Sequence, residues 1–386
     1  MDTPIYLDNL ATTPVDPRVA EAMQPYFTEF FGNPSSQHAF GWKAAEAVEE
    51  ARAAVVQLVG ARRSREVIFT SGATEANNLA IKGVVQFAGG GHVVTCATEH
   101  NAVLDCCQAV AAEGGQLSVV EVDQYGCIDL ERLEAELRDD TVLISVMAAN
   151  NEIGTLQPLA EIGALARRRG ILWHCDGAQA VAKTELNVEA LGIDLLSLSG
   201  HKIYGPKGVG ALYVRGGKPR IRLAPQVEGG GQERGLRSGT LNVPAIVGLG
   251  RAAQIGAQEC AREAQRLQGL RQRLHQGIDE KLAGVLLNGH PTQCLPGALH
   301  LSFAHIDGSE LLLSLADIAL SSGAACHAGT HEPSHVLRAL GVADDMAQAS
   351  LRFGIGRFNT EEQIEYCIRR VVEQVEQLRA QAVRAA

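Results

Sequence analysis

Between residues 66 and 215 short apolar runs alternate with helical patterns, and that rhythm constrains the fold more than any other feature of the 386 residues. VIFTSG leads into ATEANNLAIKGV, HVVTCATEH into NAVLDCCQAVAAEGG, and TVLISVMAA into PLAEIGALARRRG. ILWHCDGAQ, LLSLSG and VGALYVR follow. Glycine-bounded strands alternating with helices predict an α/β unit built on a mostly parallel, mixed sheet. Beyond about residue 245 the rhythm changes. A long charged helix (roughly 250–283) precedes VLLNG, ALHLSFA, a helix at GSELLLSLAD, and SLRFGIG. The last helix opens with Thr360-Glu361-Glu362-Gln363, a capping-box pattern. This second region reads as a smaller α+β domain. A chain of this length exceeds one ordinary core. The expected division is a large domain over 16–250 and a small one formed by 1–15 and 251–386.

Composition removes several function classes. The formal charge of −10 lacks the basic excess of a nucleic-acid footprint. No apolar run approaches a membrane span, and MDTPIYLDNLATTP has neither the basic start nor the apolar core of a signal peptide. Nine cysteines, an odd number in a long chain, suit a reducing cytoplasm better than a disulfide framework. Cys96, Cys106, Cys107, Cys127, Cys175 and Cys367 fall in apolar strand or helix patterns and read as core. Cys260 and Cys294 are open. There is no CxxC pair to suggest an iron–sulfur cluster.

In α/β folds ligands sit at the carboxyl ends of strands. After VIFT comes Ser71-Gly72-Ala73-Thr74-Glu75, a small-residue turn opening a helix, which is either an anion site for phosphate or a plain N-cap. Glu99-His100-Asn101, Asn150-Asn151-Glu152 and Asp176-Gly177-Ala178-Gln179 close the next runs. Polar groups ending four successive strands imply a shared site. Lys202 follows Ser199-Gly200-His201 at the end of a very apolar strand. It is either a solvated loop lysine or a desolvated amine with nucleophilic or basic character. Lys207 better fits the solvated role. Together Lys202, Asp176 and the Ser71–Thr74 turn match what pyridoxal phosphate requires: a Schiff-base lysine, an acid for the pyridine nitrogen and a phosphate cradle.

SSGAACHAGTHEP, residues 321–333, raises a separate question, because Cys326 stands among turn-forming residues rather than on an apolar face. Gly323, Gly329 and Pro333 predict an accessible loop that exposes this thiol by accident or presents it for use.

The chain resembles the cysteine desulfurases of the NifS/IscS type, in the class V branch of fold-type I pyridoxal-phosphate transferases. The resemblance rests on YLDNLATTPVDPRV, FGNPSS, FTSGATEANNLAIKG, TEHNAVL, NNEIGTLQP, DGAQAV, SGHKIYGPKGVGALYVR, GGGQERGLRSGT, SSGAAC, EPSHVLRALG and LRFGIGRF, from residue 6 to about 358. It implies that Lys202 holds pyridoxal 5'-phosphate, Asp176 pairs with the pyridine nitrogen, and Gln179 bonds the ring hydroxyl. His100 would stack on the ring and assist proton transfer. Ala73, Thr74, Ser199 and His201 would bind the phosphate, and Thr240 would reach the phosphate of a neighbouring subunit in a homodimer with shared sites. Asn33, Asn151 and Arg352 would bind substrate, Arg352 gripping the α-carboxylate. Cys326 would take the sulfur of L-cysteine as a persulfide and hand it to an acceptor protein such as an iron–sulfur scaffold.

The family usually has serine or threonine after that cysteine, where this chain has His327. His327, His331 and His335 recur at intervals of four, but Gly329 and Pro333 oppose one helix through them, so no metal site is expected. Rival readings are a selenocysteine lyase on the same fold and a non-catalytic scaffold. A plain aminotransferase would need no loop thiol. The C-terminal helix reads as an amphipathic element packed on the small domain.

Overall fold

The computed structural model describes residues 3–322 and 333–385. β1 (Ile5–Tyr6) opens the chain. The main sheet follows from β2 (Val67–Thr70), β3 (His92–Cys96), β4 (Gln116–Val120), β5 (Thr141–Ser145), β6 (Leu172–Asp176), β7 (Leu195–Ser199) and β8 (Gly210–Val214). Its order is β2-β8-β7-β6-β5-β3-β4. β8 runs antiparallel to both neighbours, so β2 points the same way as the remaining strands. The carboxyl ends of β2, β3, β5, β6 and β7 therefore share one edge.

Alternating side chains fill two cores. Phe69, Trp173 and Leu196 point to one face with Val48, Val55 and Leu249, while Ile68, Leu143 and Leu195 point to the other with Leu79 and Val84. Helices cover both faces, which is why the strand runs are continuously apolar. Gly210 lets β8 pass its neighbours: a Cβ there would lie 2.4 Å from Leu198 O and 2.7 Å from Gly72 Cα.

The sequence reading passed over β4. QLSVV is half-exposed at the sheet edge and pairs on one side only, with β3, so it lacks the apolar signature of its neighbours. The long helix is Val243–Asp279 and starts before the expected 250. Asn242 caps it by accepting from the Ala245 amide, and Pro244 occupies the first turn, where a missing N–H costs nothing. Its first half packs in the large core through Ile246 and Leu249, and its second half in another core through Leu267, Leu270 and Leu274. Position 250 thus lies within one continuous helix.

That other core lies against β9 (Val285–Leu287), β10 (Ala298–Phe303), β11 (Ile318–Ala319), β12 (Ser321–Ser322) and β13 (Ser350–Gly354). β12-β13-β10-β9 form an antiparallel sheet, and β11 pairs with β1. The final helix, Glu361–Ala385, buries Ile364, Cys367, Ile368, Val371 and Val375 in the same core. Its capping box is present: Thr360 Oγ1 accepts from the Gln363 amide, and Gln363 Oε1 from the Thr360 amide, each at 3.3 Å.

Cys96, Cys106, Cys107, Cys175 and Cys367 are buried, but Cys127 is not a core residue. It sits half-buried in a turn bridged by Val122 and Ile128, where Asp123 Oδ1 accepts its amide. Among the described residues no helix is long and apolar enough to cross a membrane.

Candidate active site

A cavity of about 650 Å³ opens at the shared carboxyl edge. Ala73 and Thr74 line it from the Ala73–Ala88 helix, whose N-cap Gly72 offers no side-chain cap. The first-turn amides there have no intrahelical acceptors and present the positive end of the helix dipole to the cavity. Ser199 and His201 stand beside them. His201 Nδ1 lies 3.0 Å from Thr12 Oγ1. Burial, then the charges of Lys202 and Lys207, lower its pKa to about 4, so the ring is neutral at neutral pH.

Asp176, at the end of β6, is buried. Its Oδ2 accepts from Asn77 Nδ2 at 2.8 Å and its Oδ1 from the Ala178 amide at 2.9 Å. Both partners are neutral, so the negative charge remains available to a cation in the cavity. Behind it His174 bridges Ser145 Oγ (2.8 Å) and Ser197 Oγ (3.0 Å), tying three strands together beneath the carboxylate. Burial lowers the His174 pKa to about 4.

Lys202 leaves β7 through a short turn and reaches back across the cavity. Its Nζ donates to the carbonyls of Leu10 and Ala11, both at 2.7 Å. Burial first, and then the charge of Arg352, bring its pKa down to about 8, against the pull of Asp176 and Asp8. About a tenth is therefore free amine at pH 7, far more than for an exposed lysine. Lys207 also lines the cavity but is exposed.

His100 opens onto the cavity and caps the Asn101–Ala112 helix, its Nδ1 accepting the Ala102 amide at 3.0 Å. That bond leaves the neutral ring's proton on Nε2. Burial lowers its pKa, opposed by Asp176. The neighbouring Glu99 and Asn150 instead serve the backbone. Glu99 Oε1 accepts the Met147 amide, and Asn150 bonds Thr98 O and the amides of Glu152 and Ile153. Burial holds the Glu99 carboxyl well above the usual carboxylate range.

Arg352 enters from β13. Its Nη2 donates to Asp8 Oδ1 and Ser321 Oγ, both at 2.9 Å, and its Nη1 to Asn151 O at 3.3 Å. Nε is buried without a partner among the described residues, a donor open to an incoming acceptor. Asn151 and Gln179 complete the wall. Gln179 Nε2 donates to Leu10 O at 2.8 Å.

Two expected residues stay away from the cavity. Thr240 is exposed, and Asn33, also exposed, accepts the Ser35 amide instead. Neither lines the cavity of its own chain. Cys326, His327 and His331 lie outside the described residues. His335 begins the His335–Ala339 helix, with its Nε2 2.9 Å from Glu99 O.

The family model of class-V aminotransferases matches residues 5–367. This chain belongs to that family. A cysteine desulfurase IscS of Anaeromyxobacter sp. (strain Fw109-5) is 53% identical over 382 residues, covering 98% of this chain and 94% of the relative. A cysteine desulfurase of Homo sapiens is 51% identical over 379 residues, 97% of this chain and 82% of the relative. A solved NifS-like protein superposes with a TM-score of 0.90 at 38% identity, covering 97% of this chain and all of that one. Class-V aminotransferases of this kind depend on pyridoxal 5'-phosphate. The cavity fits that group: an uncapped helix N-terminus suits a phosphate, a buried carboxylate with neutral partners suits a pyridinium, and a lysine of lowered pKa suits a Schiff base.

Sequence reasoning missed Asp8, the Leu10 and Ala11 carbonyls, and Asn77. The first three lie in YLDNLATTP, which enters the resemblance only as a block. Asn77 stands one turn inside the helix that Ala73 opens, a spacing that places both on one helix face.

Proposed function

We propose that this chain is a pyridoxal-phosphate-dependent cysteine desulfurase, converting L-cysteine to L-alanine and passing the sulfur through a persulfide on Cys326 to an acceptor. The observation that carries this reading is the meeting of Lys202, Asp176, Arg352 and the uncapped Ala73–Ala88 helix around one cavity.

Bound pyridoxal phosphate supplies an electron sink that makes the substrate Cα–H acidic and weakens its bond to sulfur. The phosphate-binding groups are the Ala73 and Thr74 end of the helix with Ser199 and His201, joined by Thr240 of a second copy. Asp176 keeps a proton on the pyridine nitrogen, and Gln179 holds the ring oxygen. Arg352 and Asn151 hold the α-carboxylate of cysteine, with Asn33 assigned to substrate binding from the resemblance. Lys202, with a pKa near 8, takes the Cα proton and later returns it. His100, neutral with its proton on Nε2, faces the same space and assists that transfer. The Cys326 thiolate then attacks the substrate sulfur: the S–S bond forms, the C–S bond breaks, and its electron pair stays on the carbon skeleton. Protonation there completes alanine.

The protein is assigned as a cytoplasmic homodimer whose acceptor is a protein such as an iron–sulfur scaffold. Its large domain spans 16–250, and 1–15 with 251–386 form the small domain carrying Cys326. The deciding experiment incubates the holoenzyme with L-cysteine and a reductant and follows sulfide and alanine. Equal yields of both, lost in Cys326→Ala, are expected. Turnover of L-selenocysteine with almost none of L-cysteine would move the assignment to a selenocysteine lyase. Full turnover in Cys326→Ala would remove the persulfide from the mechanism.

A further inference from the structure

We propose that Lys183 is a positioning residue: it pins Gln179 by its carbonyl oxygen, so that the amide NH2 group is the end presented to the cavity and to an anionic ring oxygen there. The inference rests on the cofactor site described above. Lys183 Nζ donates to Gln179 Oε1 at 2.9 Å. The protonated form of Lys183 has donors only, so in that form the atom it meets is the oxygen, and the orientation of the Gln179 amide is fixed from that side. From the other side Gln179 Nε2 gives one hydrogen to Leu10 O at 2.8 Å. The second hydrogen of that NH2 is left for a group in the cavity that Gln179 lines. Leu10 O also accepts from Lys202 Nζ, so one carbonyl links the pinned amide to the Schiff-base lysine.

Three features show that Lys183 is not a solvated surface lysine. Among the described residues it forms no ion pair, although the fold places its side chain against a small internal cavity behind Lys202 that also touches Glu263 and Arg357. Burial, then repulsion from Lys202, bring its pKa down to about 7. The residue before it, Ala182, is held at φ +60°, a left-handed conformation that alanine disfavours. Among the described residues its side-chain hydrogen bond goes to Gln179.

The chemistry predicts which property responds. A donor to the ring oxygen stabilises that oxygen when it carries negative charge, so losing the donor favours the protonated chromophore. The test is a pH titration of the visible absorbance of the holoenzyme. Lys183→Met is expected to raise the midpoint by about one unit, and Gln179→Ala to raise it similarly. In the double variant the second substitution adds nothing, because both act through one contact. Lys183→Gln, which keeps a neutral donor, is expected to stay near the wild-type midpoint. Lys183→Leu, which also removes the donor, takes the place of Lys183→Met if that variant fails to fold. An unchanged midpoint in Lys183→Met overturns the inference, as do shifts that add in the double variant or a Lys183→Gln midpoint equal to that of Lys183→Met. The last two outcomes would make Lys183 a remote charge. A wild-type protein that takes up no pyridoxal phosphate overturns the site reading and this inference with it.

Discussion

The two walls of the cavity are built by different means. On the sheet wall each side chain stands within a few residues of the strand that delivers it, and its partners are neutral: Asp176 meets Asn77 and a backbone amide, His100 caps its own helix. On the opposite wall the groups come from far apart in sequence, and cations are held by a carboxylate or by backbone carbonyls. Arg352 is held by Asp8, and Lys202 by the carbonyls of Leu10 and Ala11, through contacts between the N-terminal segment, β7 and β13. The sheet wall keeps its charge unspent for a cofactor. The opposite wall holds its cations in contacts that an incoming ligand must displace.

The sharpest test of the contrast is Lys202, which belongs to the sheet by sequence and to the opposite wall by its hydrogen bonds. Lys202→Ala removes the amine proposed to bind cofactor and to move the Cα proton. Alanine formation is expected to fall at least ~10³-fold. Retention of a tenth of wild-type turnover would show that another base works here.

That difference in construction also explains what was legible. Strand ends can be read from sequence because apolar runs mark the strands and the next polar residue inherits the edge. Asp176, Lys202 and His100 were found this way. The same rule also named Glu99 and Asn150, because it locates a residue at the edge but not the direction of its side chain. Both turn inward to satisfy backbone amides. β4 escaped because a half-exposed edge strand, with Gln116 and Ser118 among its five residues, carries no continuous apolar run. Asp8 and the Leu10 carbonyl could not be read, since their place depends on β1 pairing with β11 more than 300 residues away. Arg352 came only from the family resemblance. The helix Val243–Asp279 shows the opposite case: its periodicity was plain, but nothing in that pattern reveals that its two halves enter different cores.

On the opposite wall, Arg352→Lys keeps the charge and removes the fork. A carboxylate held by two parallel N–H bonds would then be held by one. The expected loss in kcat/KM for cysteine is roughly 10–100-fold, mostly in KM. An effect confined to kcat would place the substrate carboxylate elsewhere.

Burial of Lys202, then the charge of Arg352, sets a pH dependence. The neutral amine is the nucleophile, and it dominates above the pKa of about 8. Capture of pyridoxal phosphate by the apoprotein, followed by absorbance, is expected to be flat above that pH and to slow about tenfold for each unit below it. A rate still rising steeply at pH 10 would mean that Lys202 keeps the pKa of an exposed lysine.

The smallest effect is expected at Asp8. Its carboxylate occupies Nη2 of Arg352, which together with Nε, unpartnered among the described residues, forms the edge of the guanidinium suited to a carboxylate. Ser321 Oγ donates to the same Asp8 oxygen and accepts from Arg352, so the three groups close a small ring. Asp8 therefore competes with substrate for a partner that it also orients. Asp8→Asn keeps an acceptor of the same shape but removes its charge, which weakens the competitor more than it loosens the arginine. KM for cysteine is then expected to fall by about threefold, on the order of 0.7 kcal/mol, with kcat little changed. If KM rises instead, orientation outweighs competition. The opposite wall would then be prearranged for substrate much as the sheet wall is for cofactor.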